Sequence, residues 1–350
     1  MNLSTAEAGA EEPTSARVDD SLDTIRGRTI DILVREDVKF SGKPIFAEIF
    51  GALGFDTRLV SDDDVSTSPD SIVFISGSPL WHKRALARIR PLPRARRPFV
   101  ILWYSEPLPL PRAAGLEPAP LTVREVGKIL LRDRRISDVH SNARFLRRVG
   151  REGIIDLLTV ATKGYQAYLA QEGVASELIP VGYHPTHGHL LDRERDIDVL
   201  FLGDLRVGRR KRIFRRLERE GLPVRTIGSY SDGTYWGDAR TEIHNRAKIV
   251  LNIPRHPGLM AESRWPVTMS TGALLLSEPV YLPEPYVPGR HYVEAEIDEM
   301  TEVARRYLGD ESARLRIVTE AHRFMTQELT LERSFARLLA LAAQRMTARG

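Results

Sequence analysis

A glycine and three basic residues in the second half of the chain form the first candidate ligand site. Gly203 follows the apolar run of residues 199–202 and precedes a helical pattern that begins with Arg209, Arg210 and Lys211. A glycine at a strand-to-helix turn lets the backbone approach a phosphate, and the helix start supplies N–H groups and a positive dipole. The three cations would stabilise negative charge on a diphosphate. The alternative is a tight turn followed by a solvated basic helix face.

A second candidate site lies further along the same half. Arg264 precedes the small-residue turn Ser270-Thr271-Gly272. Hydroxyls, backbone amides and a guanidinium that converge at a helix start would make a diphosphate cradle. The competing interpretation is a chance placement in an arginine-rich chain.

Three other residues of this half suit the remaining parts of a nucleotide. Glu278 follows the run of residues 273–276, which is expected to be a buried strand. An acid at the carboxyl end of a strand either binds ribose hydroxyls or lies exposed at the rim of the site. Tyr235 and Trp236 lie in a glycine-containing segment. They either stack on a nucleobase or anchor the loop by packing.

The first half of the chain offers four candidates for a general base. Glu36 and Asp37 end the first predicted strand, His82 follows the third, and Glu106 follows the strand that contains Trp103. A base must lie close to the hydroxyl whose proton it accepts. All four follow predicted carboxyl ends of strands, and the residues alone do not choose among them.

Two acidic or histidine-rich segments resemble metal sites on first inspection. The aspartate run at residues 62–64 contains the DxD pattern of a divalent-metal site, but a solvated polar turn is the favoured interpretation. His184, His187 and His189 are close in sequence, yet the segment lacks metal-site spacing. We interpret them as hinge residues and expect no metal.

Composition narrows the class of protein. The 350 residues are 42% hydrophobic and 28% charged, with a formal net charge of +4 and no cysteine. These fractions are typical of a globular protein, and the length favours two domains. Without cysteine, disulfide scaffolds and thiolate chemistry are excluded. We find neither a secretory signal nor a membrane span, and expect a cytoplasmic protein. Residues 1–28 are predicted to form a flexible tail.

Strands and helices alternate on both sides of a polar, histidine-containing linker at residues 181–195. Such alternation indicates βαβ units and parallel sheets. Before the linker, strands are predicted at residues 29–36, 57–60, 71–77, 98–104, 153–159 and 176–180, with helices at 44–53, 80–90, 123–131 and 163–172. After it, strands are predicted at residues 196–202, 224–227 and 249–253, with helices at 210–220, 239–246 and 331–345.

Five segments of the second half, in order, resemble the group-1 glycosyltransferases, most closely their CgeB-like branch. They are DVLFLGDL at 198–205, TIGSYSDGTYWG at 226–237, HNRAKIVLNIPRH at 244–256, ESRWPVTMSTGALLLSEP at 262–279 and the closing helices at 298–339. The resemblance hardly extends into the first half. The donor-binding set that it supports comprises Gly203, Arg209, Lys211, Tyr235, Trp236, Asn252, Arg264, Ser270, Thr271, Gly272 and Glu278.

One motif departs from that family at two adjacent positions. Arg264 matches the family's arginine, but Pro266 and Val267 stand where the family has Phe-Glu. In retaining members that glutamate helps hold the donor sugar. The departure leaves open the pose of the donor and whether the anomeric configuration is kept or inverted.

The resemblance implies an α/β fold of the GT-B kind, with two Rossmann-like, doubly wound domains facing across a cleft. Residues 29–190 would form the acceptor domain and residues 191–330 the nucleotide-sugar donor domain. Residues 331–350 would form a helix that crosses back to the first domain. The implied activity is metal-independent hexosyl transfer from a nucleotide-diphosphate sugar, as co-substrate, to a hydroxyl of a glycan, lipid or small molecule, with no other cofactor.

Three other functions stay open at this stage. An epimerase or hydrolase acting on nucleotide sugars would use the same double fold, and the missing glutamate is also compatible with a non-catalytic nucleotide-sugar-binding protein. Glycosylation of a nucleic-acid base is a weaker alternative suggested by the pI of about 9.3. Nucleic acid is not expected as a partner, because the basic residues are spread along the chain rather than clustered in a stripe.

Overall fold

Two α/β domains, each built on a parallel sheet, make up the described part of the chain. The computed structural model describes residues 22–35, 43–111, 114–115, 126–127, 139–203, 205, 208–228, 237–260 and 262–349.

The first sheet has the strand order β2-β1-β3-β4-β5-β6, and every pairing is parallel. Its central strands are continuous apolar runs because helices cover both of their faces. In β4, all six residues of FVILWY are buried. The strands are β1 (Thr29–Leu33), β2 (Thr57–Val60), β3 (Ser71–Ser76), β4 (Phe99–Tyr104), β5 (Leu157–Val160) and β6 (Glu177–Leu178).

Helices cover both faces of this sheet. One face packs against α2 (Lys83–Ile89), α3 (Val139–Arg151) and α4 (Lys163–Gln171). The other face packs against α1 (Lys43–Ala52) and the last helix of the chain, α10 (Leu331–Thr347). Phe335 of α10 stacks on Phe50 with ring centroids 4.7 Å apart. The C-terminal helix therefore completes the core of the first domain.

The second sheet has the strand order β11-β10-β9-β7-β8 and is also parallel. Val199 and Phe201 pack on one of its faces, and Leu200 packs on the other. The strands are β7 (Ile197–Leu202), β8 (Arg225–Ile227), β9 (Ala247–Asn252), β10 (Leu274–Ser277) and β11 (Val293–Glu294). The helices are α5 (Gly208–Arg219), α6 (Asp238–Asn245), α7 (Arg264–Ser270), α8 (Met300–Gly309) and α9 (Glu311–Arg323).

The linker and the two domains are joined by hydrogen bonds at two places. Tyr183 exchanges two backbone hydrogen bonds of 2.8 Å with Leu329 and Leu331, at the start of α10. Between the domains, Lys163 of α4 also donates to Glu284 at 2.8 Å. In the part of the chain that the structure describes, no helix is both long and apolar enough to span a bilayer.

The predicted fold class, two doubly wound α/β domains, is confirmed, whereas several element bounds differ. The helix predicted at residues 80–90 is a short 3₁₀ turn, Pro79–His82, followed by α2. The strand predicted at 153–159 begins only at Leu157. Most of the helix predicted at 123–131 lies outside the described residues.

Candidate functional site

Gly203 occupies the turn between β7 and α5, as the sequence indicates. Its backbone has φ +154°, and its N–H donates to Ile227 O at 3.1 Å. A Cβ at this position would lie 3.0 Å from the Phe201 ring and 3.5 Å from an Arg264 nitrogen. The turn therefore requires glycine, and this brings the backbone close to the guanidinium of Arg264.

Arg264 ties together the carboxyl ends of two strands. One of its terminal nitrogens donates to Asn252 Oδ1 at 2.7 Å and the other to Leu202 O at 2.8 Å. Asn252 in turn donates to Ser277 Oγ at 2.8 Å, so the end of β10 joins the network. Arg264 has no ion pair with any of the described acidic residues. Burial, and then the positive charge of Arg210, lowers the pKa of Arg264 to about 9.

Arg209 and Glu278 form an ion pair at the edge of this network. Arg209 donates to both carboxyl oxygens, at 2.9 Å to Oε1, and also to Pro254 O at 3.1 Å. Glu278 is only 4% exposed, so the alternative of an exposed rim residue is wrong. Burial raises the pKa of Glu278, and the hydrogen bonds and charge of Arg209 oppose that rise. The proposed contact of Glu278 with ribose stays a prediction.

The other two basic residues at the start of α5 differ from each other. Arg210 is buried, donates to Ile253 O at 2.9 Å and lies over the Phe201 ring at 5.4 Å. Lys211 is exposed, which agrees with a solvated helix face. Arg210 therefore contributes positive charge to the buried part of the site.

The Ser270-Thr271-Gly272 turn lies at the end of a helix, so its predicted position at a helix start is wrong. Ser270 is the last residue of α7. The hydroxyls of Ser270 and Thr271 donate to Val267 O at 3.3 and 2.7 Å, and Arg195 donates to Thr271 O at 2.7 Å. These hydroxyls satisfy the carbonyls of the last turn, as side chains at helix ends do. They do not form a cradle with Arg264.

In the first domain, His82 is buried and bound to the aspartate run. Its Nδ1 lies 2.7 Å from Asp62 Oδ1, and its ring is 1% exposed. Asp62 also accepts from the backbone N–H groups of Arg84 and Ala85 at 3.2 and 3.3 Å. Asp62 therefore caps the start of α2, while the side chains of Asp63 and Asp64 are exposed as expected for a solvated turn.

Glu106 follows β4 and lies within interaction range of a second carboxyl group, that of Glu262. This carboxyl precedes α7 in the other domain. Burial, and then the charge of Glu106, raises its pKa, while a hydrogen bond with Tyr165 opposes that rise. Glu262 was missed at the sequence level, although it lies only two positions before Arg264. The other candidates Glu36, Asp37, Tyr235 and Trp236 lie outside the described residues.

The histidines of the linker form no metal centre with the described residues. His184 and His187 have ring centroids 6.1 Å apart. Burial, followed by the charges of Arg240 and His184, lowers the pKa of His187 to about 4. Across the described ranges, no three His, Asp or Glu side chains are close enough together to hold a metal ion.

The sequence and the fold of this chain are similar to those of glycosyltransferases. Residues 209–340 match the protein family described as "Glycosyl transferase-like". No curated protein sequence matches the chain. The structure of Anabaena HepE, in complex with UDP and glucose, superposes with a TM-score of 0.56 at 10% identity over 92% of this chain and all of HepE. This chain has the GT-B fold.

Two further structures agree with the assignment of a GT-B fold. AviGT4, a glycosyltransferase involved in avilamycin A biosynthesis, superposes with a TM-score of 0.52 at 12% identity, over 92% of this chain and 99% of its own. Staphylococcus aureus TarM gives a TM-score of 0.52 at 11% identity over 79% of this chain. The present chain spans 56% of the length of TarM. The family match begins at Arg209 in α5, so it leaves out β7 and the Gly203 turn. It covers the rest of the second domain, with Asn252, Arg264 and Glu278, and the first part of α10.

Proposed function

We propose that this protein transfers a hexosyl group from a nucleoside diphosphate sugar to a hydroxyl acceptor without a metal ion, and does so in the cytoplasm. The observation that carries the proposal is the partly buried guanidinium of Arg264. It lies beside the Gly203 turn at the carboxyl ends of β7 and β9 and has no acidic partner among the described residues.

A cation partly withdrawn from water without an ion pair among the described residues costs free energy, and an anionic ligand offsets that cost. Arg210 adds a second positive charge nearby. Ligands of open α/β sheets bind at the carboxyl ends of the strands, which is where both arginines are anchored. A diphosphate supplies negative charge of the right kind, and a guanidinium binds phosphate oxygens in a bidentate manner.

The same charges would act in the reaction. As the acceptor oxygen bonds to the anomeric carbon, the bond from that carbon to the diphosphate breaks and negative charge grows on the leaving group. Arg264 and Arg210 would stabilise that charge. A base such as Glu106 would take the proton of the acceptor hydroxyl. The family match over residues 209–340 and the UDP complexes of HepE support a nucleotide-sugar donor.

A thermal-shift screen tests the assignment of the donor site. The protein would be melted with UDP, GDP, dTDP and CDP at millimolar concentration, alongside Arg264→Ala and the exposed control Arg316→Ala. We expect one nucleotide to raise the Tm of the unchanged protein and of Arg316→Ala by about 2–4 °C, but not that of Arg264→Ala. An equal shift in Arg264→Ala would show that the nucleotide binds elsewhere.

Product analysis then separates transfer from the rival activities. The selected nucleotide sugar would be incubated with and without a panel of glycan, lipid and small-molecule acceptors. Transfer requires the acceptor for product formation, whereas conversion of the donor alone indicates an epimerase or hydrolase. A nucleotide sugar that binds but is never turned over would contradict the enzymatic proposal.

A further inference from the structure

Positive charge gathers on the outer surface of α2, the turn that follows it and α3. Residues 83–96 and 139–151 include ten Lys and Arg residues and no Asp or Glu. The whole chain has 51 basic and 47 acidic residues, so the chain without these two segments is net negative. Nine of the ten cations are exposed, and Arg147 is half-buried. We call the surface formed by these two segments the basic face.

The two helices of the basic face lie side by side and run in the same direction. The Lys83 ammonium lies over the Phe145 ring, 5.2 Å from its centroid. Seven residues further along each segment, Arg90 donates to Glu152 at 2.8 Å. The buried sides of the two helices belong to one core, on the same face of the first sheet. Their exposed sides therefore form one continuous surface.

Acidic neighbours neutralise this charge only in part. Glu152, just beyond α3, accepts from both Arg90 and Arg148 at 2.8 Å, so one carboxylate serves two guanidinium groups. Four further cations of the face form no ion pair with any described acidic residue, and they are Arg88, Arg96, Arg144 and Arg151. The face therefore keeps a net positive charge in the folded protein.

An open depression of about 470 Å³ lies along α3 within the basic face. Its lining consists of the four arginines of α3 and Glu152. Arg144, Arg148 and Arg151 follow one another at helical spacing on the exposed side, and guanidinium groups bind phosphate oxygens through paired hydrogen bonds. The large apolar side chains that the described residues expose, such as Leu190, lie outside the face. The face therefore attracts phosphate groups but holds nothing that would insert into hydrocarbon.

A second arginine-rich helix, α5, differs because acids are interspersed with its cations. Residues 208–220 include seven basic and two acidic residues. Arg209 is paired with the buried Glu278, and Arg216 contacts both Glu220 and Asp298. This helix is therefore a comparison for the basic face rather than a second surface of the same kind.

The geometry of the basic face favours the surface of a bilayer over a nucleic acid. Proteins that bind DNA or RNA insert a helix or strand into a groove, or stack bases on exposed aromatic rings. Here α2 and α3 lie flat on the sheet, and Phe145, the one Phe, Tyr or Trp in the two segments, is half-buried beneath Lys83. A broad set of cations without apolar anchors matches a plane of anionic headgroups, which attracts each Lys or Arg near it.

We propose that the basic face docks this protein on a bilayer that contains anionic phospholipids. Lipid phosphates take the place of the missing acids along α3. Because the rest of the chain is net negative, the protein orients with α2 and α3 towards the lipid before contact. Without apolar anchors the docking is reversible and sensitive to salt. It is separate from the donor site and does not depend on the proposed reaction.

Sedimentation of the full chain with vesicles tests the docking. The vesicles contain phosphatidylcholine alone or with about 30% phosphatidylglycerol, in about 50 mM or about 500 mM NaCl. The variant of the face is Arg144→Gln/Arg148→Gln/Arg151→Gln. The control is Arg212→Gln/Arg215→Gln/Arg219→Gln, which removes three exposed arginines at similar spacing from α5. Thermal melts show whether each variant is folded, and the lipid and salt arms test the unchanged protein without any variant.

The basic face should decide the affinity for anionic vesicles. We expect the unchanged protein and the α5 variant to bind them in low salt with partition coefficients within about twofold of each other. The α3 variant should bind at least about tenfold more weakly, because three cations that each attract the surface are gone. High salt should release all three proteins, and vesicles of phosphatidylcholine alone should bind none of them.

Three results would overturn the docking. If the unchanged protein ignores anionic vesicles in low salt, or binds neutral ones equally well, the face is not an electrostatic membrane surface. If the α5 variant loses as much affinity as the α3 variant, binding follows net charge rather than this face. If the protein ignores the vesicles but binds a DNA duplex, and the α3 variant does not, the face recognises nucleic acid and the membrane proposal is wrong.

Discussion

Arg209 and Glu278 form an ion pair that joins the first turn of α5 to the end of β10. Glu278 is buried and Arg209 is about a quarter exposed, with a side-chain exposure of 23%. Because the same arginine also donates to Pro254 O, the pair fixes the loop that follows β9. The pair thus supports the network in which Asn252 holds Arg264.

Removal of one partner of this pair should lower the stability of the protein more than removal of both partners. We expect Arg209→Ala to lower the free energy of unfolding by about 3 kcal/mol, because it leaves the Glu278 carboxyl buried without its partner. The double variant Arg209→Ala/Glu278→Gln should recover part of that loss. Urea denaturation of the two single variants and the double variant measures the coupling, and strictly additive losses would contradict it.

Asn252 offers a test of the charge on Arg264, which has no ion pair among the described residues. We expect Asn252→Asp to raise the Tm of the ligand-free protein, because the new carboxylate would pair with the guanidinium that Asn252 now accepts from. The same change should weaken nucleoside diphosphate binding at least tenfold, since the anion would lose its counter-charge. Asn252→Ala is the matched control, and it should lower the Tm. Unchanged nucleotide affinity in Asn252→Asp would show that Arg264 does not bind the anion.

The alternation of elements was predictable because buried parallel strands leave a plain trace in the sequence. The run FVILWY of β4 begins one residue from its expected start, and the run AKIVLN of β9 begins two residues from its expected start. The small-residue turn was misplaced because composition does not reveal which end of a helix a turn occupies. Here α7 begins at Arg264 and ends at Ser270, so the hydroxyls face the last carbonyls.

Glu262 could not have been identified from its neighbours in sequence. Its carboxyl is buried by Tyr104 and Tyr165, which lie about a hundred or more positions earlier in the chain. Only the packing of two domains brings these residues together. The network of Asn252 with Ser277 and Arg264 was missed as a network for the same reason, although two of its members were singled out.

Asp62 should make the stability of the first domain depend on pH. Burial alone would raise its pKa, but the hydrogen bond and charge of His82 and the backbone N–H groups of Ala85 and Arg84 lower it below 3.8. A depressed pKa in the folded state stabilises the fold above the unfolded value, and this contribution is lost as the pH falls through the folded value.

We therefore expect Asp62→Ala to be less stable than the unchanged protein at pH 7, by at least the roughly 1 kcal/mol of a lost helix cap. This difference in the free energy of unfolding should narrow as the pH falls below 3.8, because the Asp62 carboxylate then takes up a proton. Urea denaturation at pH 7, 5 and 3 measures it, with the exposed Asp63→Ala as a control. A gap that stays constant over this range would show that the charge of Asp62 contributes nothing.

Gly182 should control the docking of α10 on the first domain. A Cβ at this position would lie 2.3 Å from the carbonyl carbon of Thr330 and 2.4 Å from the backbone N of Leu331. Backbone atoms cannot yield as a flexible side chain does, so Gly182→Ala should separate the linker from the start of α10. We expect a loss of several kcal/mol in the free energy of unfolding, with the hydrogen bonds of Tyr183 among the first to break.

Gly51→Ala is the matched control for that change. Gly51 lies in α1, and a Cβ at this position would have nothing within 4 Å, so alanine there should stabilise the helix by about 0.5–1 kcal/mol. Hydrogen exchange would locate the effect of Gly182→Ala, since the amides of Tyr183 and Leu331 should lose protection before those of β4. Equal stability of the two variants would mean that the linker tolerates a side chain, and that α10 does not depend on this close backbone contact.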